Sequence, residues 1–255
     1  MKDFWIIIFY VLGLVIGSFC SLVAYRLSNG KSIVKPRSYC EGCNRTLKWY
    51  EMIPILSYIA LGGRCRKCNA KISIFYPVSE LFLGVLFAVC FYKFGFSYKL
   101  FISLGLSSLF IITLITDLNY YIIPDEVNIF FAIYFFIVNI FGLGFLKALI
   151  YEGYGLIMFS FMYLLMLFGN HLFKEESLGG GDIKLLFVLG SCVPILVSFV
   201  GVTIGALIAL PLSIFIFIKN KDKAIPFGPF LVLSFLLLYL FRVNTDSIID
   251  LLKLL

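Results

Sequence analysis

Charged side chains are scarce in this sequence. Asp, Glu, Lys and Arg make up only 14% of its 255 residues, whereas soluble domains carry roughly 25%. Hydrophobic side chains account for 62% and aromatic side chains for 18%. This balance argues against a water-soluble domain and predicts an all-α protein that crosses a membrane repeatedly.

Histidine is also scarce, since His171 is the only one. It lies in a predicted membrane helix without the partners of a catalytic triad, so we interpret it as a structural residue. The sequence has no Gly-X-Ser-X-Gly elbow, Walker loop, His-Glu-X-X-His or Gly-X-Gly-X-X-Gly. Serine hydrolase, nucleotide-hydrolysing and histidine-ligated zinc chemistries therefore lack the motifs that they need.

Long uncharged runs predict the membrane helices. Crossing about 30 Å of hydrocarbon takes about 20 helical residues, and charges divide the sequence into runs near this length. Residues 185–218 suit two crossings with a break near Pro194, and a shorter run must begin near Pro77 and carry Glu80 at its end. About eight transmembrane helices are predicted, the other runs being 4–25, 100–116, 127–146, 153–173 and 224–241.

The first run contains two glycines at helical spacing. Gly13 and Gly17 form a Gly-X-X-X-Gly pair, which removes side chains from one face of a helix. Such a face lets a neighbouring membrane helix approach closely. We therefore assign the pair to helix packing.

Basic residues predict the orientation. Most of the 21 Lys and Arg residues lie in segments that face the cytoplasm if the N-terminus is outside, which is the arrangement that the positive-inside rule favours. The net charge of +7 is then explained by topology and does not indicate a nucleic-acid partner. We predict a multi-pass protein with an N-terminal part, 1–98, and a C-terminal membrane domain, 99–255.

Two cysteine pairs lie in the only sizeable polar stretch, residues 28–76. Cys40-X-X-Cys43 and Cys65-X-X-Cys68 have nearly the spacing of zinc ribbons, and four thiolates complete a tetrahedral zinc shell. The alternative is two disulfides, which rarely persist in a reducing cytoplasm. A structural zinc site is the favoured interpretation, because so short a segment lacks a core of its own.

Two aspartates lie at predicted helix ends. Asp117 closes an uncharged run, and Asp182 follows three glycines, Gly179 to Gly181. Carboxylates at the edge of hydrocarbon are costly and suggest function. A helix N-cap is the alternative for Asp182, but it leaves the glycines unexplained. For Asp125, which follows Pro124, an N-cap is the favoured interpretation.

Brought together, Asp117 and Asp182 could hydrolyse a peptide bond. Two adjacent carboxylates share a proton, so one can activate water while the other polarises the scissile carbonyl. The helix dipoles predict that Asp117 holds the proton and Asp182 is the carboxylate. Two alternatives remain open: a proton-coupled transporter or channel with a metal-binding loop, and a non-catalytic secretion-assembly protein.

The order of motifs along the chain resembles that of the type IV prepilin leader peptidases. Each motif alone is weak, but their joint order over nearly the whole chain is specific. Ser79 departs from the Val-Glu pair common in that family and leaves Glu80 in place. The shared motifs are Gly17-Ser-Phe19, Tyr25-Arg-Leu27, the four cysteines framing Ile53-Pro-Ile-Leu-Ser-Tyr58 and Leu61-Gly-Gly63, Tyr76-Pro-Val-Ser-Glu80, Asp117 with Ile123-Pro-Asp125, Gly179-X-Gly181-Asp182-X-Lys184, and Ile225-Pro-Phe-Gly-Pro-Phe230.

The resemblance implies an eight-helix aspartic peptidase of the bacterial inner or plasma membrane. Its catalytic pair would be Asp117 and Asp182, supported by Gly179, Gly181, Lys184 and Asp125. Its substrates would be type IV prepilins or pseudopilins, cut at the cytoplasmic face after a short basic leader. Family members with the cysteine-containing half commonly also methylate the new N-terminus from S-adenosylmethionine, a reaction to which Glu80 and the cysteine module could contribute.

Overall fold

The computed structural model describes residues 1–174, 179–219 and 226–254. In these residues the regular elements are helices, with two isolated backbone bridges, Tyr39 with Thr46 and Arg64 with Lys71. The chain divides into two compact units, Met1–Gly95 and Phe96–Leu255. An all-helical architecture therefore agrees with the prediction from composition.

The first unit is a helix pair that carries the cysteine module. Helix α1 spans Lys2–Ser28 and helix α3 spans Phe75–Phe94, while a short 3-10 turn, Trp49–Met52, and helix α2, Leu56–Ala60, lie between them. A Cβ on Gly13 would lie 2.7 Å from the Gly84 Cα, and one on Gly17 would lie 2.8 Å from the Glu80 Cα. The predicted role of the Gly-X-X-X-Gly pair in helix packing is confirmed, because any side chain would separate α1 from α3.

The second unit contains seven helices in its described residues. They begin with α4, Tyr98–Tyr120, at whose C-terminus Tyr121 adopts a left-handed conformation. Helix α4 is the most buried of the long helices and packs against α5 and α9, while α7 packs against α5, α6 and α9. The remaining helices are α5 Asp125–Leu143, α6 Phe145–Phe173, α7 Gly180–Gly190, α8 Ile195–Lys219, α9 Gly228–Leu240 and α10 Thr245–Leu254.

Each of the eight predicted crossings corresponds to a helix, but the helices differ in length. Among the described residues, six are long and apolar enough to cross a membrane: α1, α3, α4, α5, α6 and α8. The predicted break near Pro194 is confirmed, and it leaves α7 with only 11 residues. Helix α9 has 13 residues, and the predicted start of its run at 224 lies outside the described residues. The chain is thus a multi-pass membrane protein.

Candidate active site

Asp117 lies in the last turn of α4 and is 7% exposed. Its Oδ2 accepts a 3.0 Å hydrogen bond from the backbone N–H of Gly228, the first residue of α9. The N–H groups of a first helical turn have no partner within the helix. The start of α9 therefore stabilises negative charge on Asp117 from a point 111 residues further along the chain.

Asp182 lies in the first turn of α7 and faces the same point. A Cβ built on Gly228 would lie 3.3 Å from Asp117 Oδ2 and also 3.3 Å from Asp182 Oδ1. The two carboxylate oxygens are therefore no more than twice that distance apart. Three helix ends, those of α4, α7 and α9, bring the two predicted aspartates together around a glycine.

Ile123 packs between the glycines of this site. Its Cδ1 lies 2.7 Å from the position of a Gly228 Cβ, and its own Cβ lies 3.2 Å from that of a Gly181 Cβ. The side chain is buried. A side chain at Gly181 would thus crowd Ile123, whereas a Cβ on Gly180 would meet no atom of the described residues within 4 Å.

Asp125 and Lys184 form an ion pair beside the site. Lys184 Nζ lies 2.7 Å from both Asp125 carboxylate oxygens, and the two side chains are about half exposed. The N-cap of α5 is Pro124, and no side-chain cap bond is formed, so the interpretation of Asp125 as an N-cap is wrong. Its carboxylate instead ties the start of α5 to α7, two residues from Asp182.

The N-cap alternative for Asp182 is also wrong. The N-cap of α7 is Gly179, and no side-chain cap bond is present there. Asp182 is the third helical residue and donates its own backbone N–H to the Gly179 carbonyl, 3.1 Å away. Its carboxylate therefore does not cap α7.

The four predicted cysteine ligands converge in the first unit. Their sulfur atoms all lie within 4.8 Å of one another, and all four thiols are free, so they do not form the alternative disulfides. Both pairs form the same knuckle, in which the first cysteine accepts at its carbonyl the N–H of Asn44 or Asn69, each with a positive φ. This cluster could hold one metal ion.

One sulfur–sulfur distance in this cluster matches that of a tetrahedral ion, and the others are at most 4.8 Å. Zn–S bonds of about 2.3 Å place tetrahedral sulfurs roughly 3.8 Å apart, and Cys40 Sγ lies 3.7 Å from Cys68 Sγ. Backbone N–H groups of Cys68 and Lys67 lower the pKa of the Cys65 thiol to about 6. Against the opposing N–H of Ala70, burial and the adjacent thiols raise the pKa of the Cys68 thiol to about 11. The thiolate form that a metal ion binds is therefore favoured at Cys65, and the other thiols lose their protons when the ion binds.

A cavity of about 560 Å³ lies beside this module in the first unit. Four tyrosines and three carboxylates contribute to its lining, among them Glu51, which accepts a 2.7 Å bond from Arg45. The Arg45 guanidinium and the Lys48 N–H lower the pKa of the Glu51 carboxyl. The tyrosines are Tyr25, Tyr39, Tyr58 and Tyr76, and the other carboxylates are Glu41 and Glu80.

Glu80 holds a strained turn at the edge of this cavity. Its Oε2 accepts the backbone N–H of Ile55 at 2.8 Å, and Ile55 has φ 60° and ψ −51°. With the Leu56 N–H bonded to the Pro54 carbonyl at 2.6 Å, this is a γ-turn of the rare, strained type. A β-branched residue in such a turn costs about 1–3 kcal/mol, which the surrounding bonds must offset.

Three residues of these sites were not predicted from the sequence. They are Gly228, which donates to Asp117, Ile123, which packs between two glycines, and Ile55, which forms the strained turn. Gly228 stands in the Ile225–Phe230 motif that supports the resemblance, but nothing local indicates that its N–H reaches Asp117. The turn at Ile55 has no signal either, since isoleucine is among the residues least suited to positive φ. These roles depend on contacts between residues far apart in the chain.

A multi-pass helical protein with a buried and a partly exposed carboxylate, Asp117 and Asp182, at adjoining helix ends has the arrangement of a membrane aspartic peptidase. Two family models match the chain: the bacterial peptidase A24 N-terminal domain over residues 11–94, and the type IV leader peptidase family over residues 104–218. The chain belongs to the type IV leader peptidase family. This assignment sets aside the transporter and assembly-protein alternatives.

Curated relatives support the family over the whole chain. A prepilin leader peptidase/N-methyltransferase of Bacillus subtilis is 35% identical over 255 residues, covering 95% of this chain and 96% of the relative. One of Neisseria gonorrhoeae is 30% identical, covering 88% and 86%. One of Myxococcus xanthus is 40% identical over 185 residues, or 71% of this chain and 54% of that longer protein. No solved structure matches.

Proposed function

We propose that this protein is an aspartic endopeptidase that removes the leader of type IV prepilins or pseudopilins and then methylates the new N-terminus. The peptidase proposal rests on the closeness of the two carboxylates. The position that a Cβ on Gly228 would occupy lies 3.3 Å from an oxygen of Asp117 and 3.3 Å from an oxygen of Asp182. The names of the relatives supply the substrate class. The family's fold and the dyad together support hydrolysis of a peptide bond.

Asp117 is the base and Asp182 the proton donor in this proposal, the reverse of the prediction from helix dipoles. The dipole effect contributes about 0.3–1 kcal/mol, whereas a hydrogen bond to a charged group contributes about 1.5–3 kcal/mol. The Gly228 N–H makes such a bond to Asp117. The stronger effect therefore favours the carboxylate at Asp117 and leaves the shared proton on Asp182.

The reaction then follows from these positions. Asp117 accepts a proton from water as the water oxygen bonds to the scissile carbonyl carbon, and Asp182 donates a hydrogen bond to the carbonyl oxygen. Breakdown of the tetrahedral intermediate returns a proton to the leaving amine. No atom of the described residues lies within 4 Å of a Cβ position on Gly180, which leaves room beside Asp182 for an extended substrate segment in that part of the structure. Lys184 and Asp125 support the site by joining α7 to the start of α5.

Basic residues support a cytoplasmic location for this chemistry, because the positive-inside rule places the N-terminus outside and the end of α4 inside.

The test of the peptidase proposal is cleavage of a purified prepilin by the purified protein in detergent. Asp117→Asn and Asp182→Asn should each abolish cleavage, while Asp250→Asn, an exposed carboxylate of α10, should not. Substantial cleavage by either dyad variant would overturn the proposal.

The cavity in the first unit fits S-adenosylmethionine, the methyl donor. When bound, this cofactor supplies a methyl group from a sulfonium cation. Carboxylates attract such a cation, and aromatic faces bind it through cation–π interactions. The cavity offers Glu41 and Glu80 for this role, whereas Glu51 is paired with Arg45 and Lys31 lies over the Tyr25 ring. The lining also includes five basic residues, which are complementary to the carboxylate of the same cofactor: Arg26, Lys31, Arg45, Arg66 and Lys71. Labelled donor and a mature pilin with a free N-terminus should give methylation in the Asp182→Asn protein and none in Glu80→Gln.

The four cysteines support a structural zinc ion. A tetrahedral site completed by four protein ligands has no open coordination position for a substrate. The metal therefore holds the fold of the module rather than taking part in hydrolysis or methyl transfer. Elemental analysis should find one zinc per chain; another metal or none would overturn the assignment.

A further inference from the structure

The short helix α2 of the first unit has a cavity on one face and an exposed apolar surface on another. Ser57 and Tyr58 line the cavity, whereas Leu56 and Ile59 are not among its lining residues. Leu56 and Ile59 are three residues apart and share one face of the helix; they are 66% and 69% exposed, and Trp49, in the 3-10 turn before α2, is 71% exposed. Such a surface marks contact with a membrane or a partner.

Glu80 fixes the height of α2 beside α3. The N–H of Ile55, the residue before α2, donates to Glu80 Oε2 at 2.8 Å. Glu80 lies five residues beyond Phe75, the first residue of α3, and this helix is long and apolar enough to cross a membrane. Five helical residues rise roughly 7 Å. The start of α2 therefore lies beside the membrane-crossing part of α3, deeper than the first residue of that helix.

At this depth α3 also exposes apolar side chains. Phe75, Val78 and Leu81, which lie on both sides of the Glu80 level, are exposed, as expected of side chains that face lipid. Leu56 directly follows the residue that Glu80 holds, so it lies at the same level. The exposed apolar face of α2 is thus placed at the height of the bilayer and not above it.

The backbone around α2 is paired as lipid surroundings require. Acyl chains offer no hydrogen-bond partner, so polar backbone groups among them must bond within the protein. The Ile55 N–H is bonded to Glu80. The N–H groups that follow donate to backbone carbonyls, Leu56 to Pro54, Ser57 to Ile53 and Ile59 to Ile55. Apolar surroundings would therefore leave none of these donors unpaired.

The segment that contains α2 is strongly basic. Residues 28–76 hold nine of the 21 Lys and Arg residues but only two of the 14 Asp and Glu residues, Glu41 and Glu51. A zinc ion with four thiolates would add two negative charges and leave the segment basic. Exposed cations at a membrane surface attract anionic phospholipid headgroups. The exposed cations that flank α2 in the sequence are Lys48, Arg64, Arg66, Lys67 and Lys71.

We infer that α2 is inserted into the membrane surface, with Leu56 and Ile59 among the acyl chains and the flanking cations on anionic phospholipid headgroups. Buried apolar area and attraction to anionic lipid are the two contributions that hold an interfacial helix. Trp49 suits the boundary between them, since tryptophan is enriched at membrane interfaces. A protein partner would explain the apolar face but neither its depth nor the excess of cations.

This inference needs only a chain that spans a membrane, so it does not depend on the peptidase or methyltransferase reaction. Its consequence concerns the cavity on the other face of α2. The cavity is held at the bilayer surface, which is where an N-terminus that directly precedes an apolar helix would lie.

Fluorescence quenching in proteoliposomes tests the inference. In a Trp5→Phe, Trp49→Phe background, which has no other tryptophan, Leu56→Trp places a probe on the exposed face of α2. We expect phospholipid with brominated acyl chains to remove most of its fluorescence and iodide in the water to remove little. The bilayer is a mixture of phosphatidylcholine and phosphatidylglycerol.

Val34→Trp in the same background is the matched control. Val34 is also apolar and is 80% exposed, but it follows Ile33, whose carbonyl accepts a 2.8 Å bond from Arg26. Arg26 is nine residues beyond Gly17, which packs on Glu80, and is therefore roughly 13 Å farther along α1, outside the bilayer. Iodide should quench this probe, and brominated lipid should not.

The possible outcomes distinguish lipid from the other occupants. Iodide quenching of Leu56→Trp would place α2 in water, and equal quenching of both probes by brominated lipid would remove the difference in depth. Quenching of Leu56→Trp by neither agent would show that protein covers this face, either the second unit or a second copy of the chain. Each of these results would overturn the inference.

Trp49 provides a second measurement that leaves α2 unaltered. It is the only tryptophan of the Trp5→Phe variant, and brominated phosphatidylglycerol should quench it more than the same fraction of brominated phosphatidylcholine. Equal quenching by the two lipids would overturn the assignment of the cations to anionic headgroups.

Discussion

The Gly228 N–H and the Asp117 carboxylate are joined by a 3.0 Å hydrogen bond between the start of α9 and the end of α4. Because Gly228 has no side chain, Asp182 can approach the same point from α7. Glycine is required here for space, since its φ is not one that excludes other residues. The bond and the missing Cβ together assemble the dyad.

Substituting this glycine should disable the enzyme. In Gly228→Ala the added methyl would lie 2.7 Å from Ile123 Cδ1 and 3.3 Å from both carboxylates, so it would displace water from the dyad. We expect kcat to fall by at least about tenfold, since a small misplacement of reacting groups costs that much or more. Initial cleavage rates at saturating prepilin measure the effect.

Gly153→Ala is the matched control. Gly153 lies within α6, and a Cβ there would meet no described atom within 4 Å. Alanine should therefore keep full activity and add up to about 1 kcal/mol of stability through helix propensity. An active Gly228→Ala protein would contradict the assignment of Gly228 to the dyad.

The Asp125–Lys184 ion pair should matter for activity more than for stability. Both side chains are about half exposed, and such pairs contribute about 0–1 kcal/mol to folding. We expect Asp125→Asn and Lys184→Met to change Tm little and to lower kcat severalfold, by freeing α7 from the start of α5. A double-mutant cycle on cleavage rates should be non-additive, since either change breaks the same contact.

The exposed pair Asp250 and Lys253 of α10, at 3.7 Å, provides the comparison for that cycle. Removing it should leave both activity and Tm unchanged. Equal effects of the two pairs, or additive effects of Asp125→Asn and Lys184→Met, would show that the first pair does not position α7.

Loss of one cysteine ligand should release the metal and loosen the first unit. Cys43→Ser removes one of four sulfurs that lie within 4.8 Å of one another, and a structural site with three ligands binds its ion weakly. We expect metal content to fall well below one per chain and residues 29–74 to become susceptible to limited proteolysis. Cys90→Ala, a buried residue of α3, should keep the metal; retention of metal by Cys43→Ser would exclude the four-sulfur site.

The turn at Ile55 should be relieved by glycine. Ile55→Gly replaces a β-branched residue at φ 60° with the residue that adopts positive φ without strain. We expect the stability of the first unit to stay the same or rise by about 1 kcal/mol, although a side chain is lost. Ile59→Gly, in the exposed part of α2, should lower it, and thermal unfolding compares the two.

The sequence was sufficient to locate Asp117, Asp182 and the four cysteines, because their signals are local: a charge at the end of an apolar run, a glycine run, and a repeated Cys-X-X-Cys. Apolar runs also predicted the helices. The length of the uncharged run 185–218 was a poor guide to α7. The run is long enough for two crossings at about 20 residues each, but Pro194 divides it into unequal parts. The α7 part retains 11 residues and α8 has 25.

Contacts between distant residues explain the remaining differences. Asp125 looked like an N-cap because it follows a proline, yet Lys184, 59 residues away, supplies its partner. Helix dipoles predicted the proton on Asp117, whereas the proposed mechanism places it on Asp182 because the Gly228 N–H, on a separate helix, donates to Asp117. Neither partner can be identified from the local sequence around the aspartate.

The shortness of α7 bears on how water reaches the dyad. A helix of 11 residues rises roughly 16 Å, about half the thickness of hydrocarbon. The bilayer must thin around it or leave a wet recess above its first turn. The enzyme would therefore work in a locally thinned region of the membrane. Lipids with longer acyl chains, by filling that region, would lower its rate of cleavage.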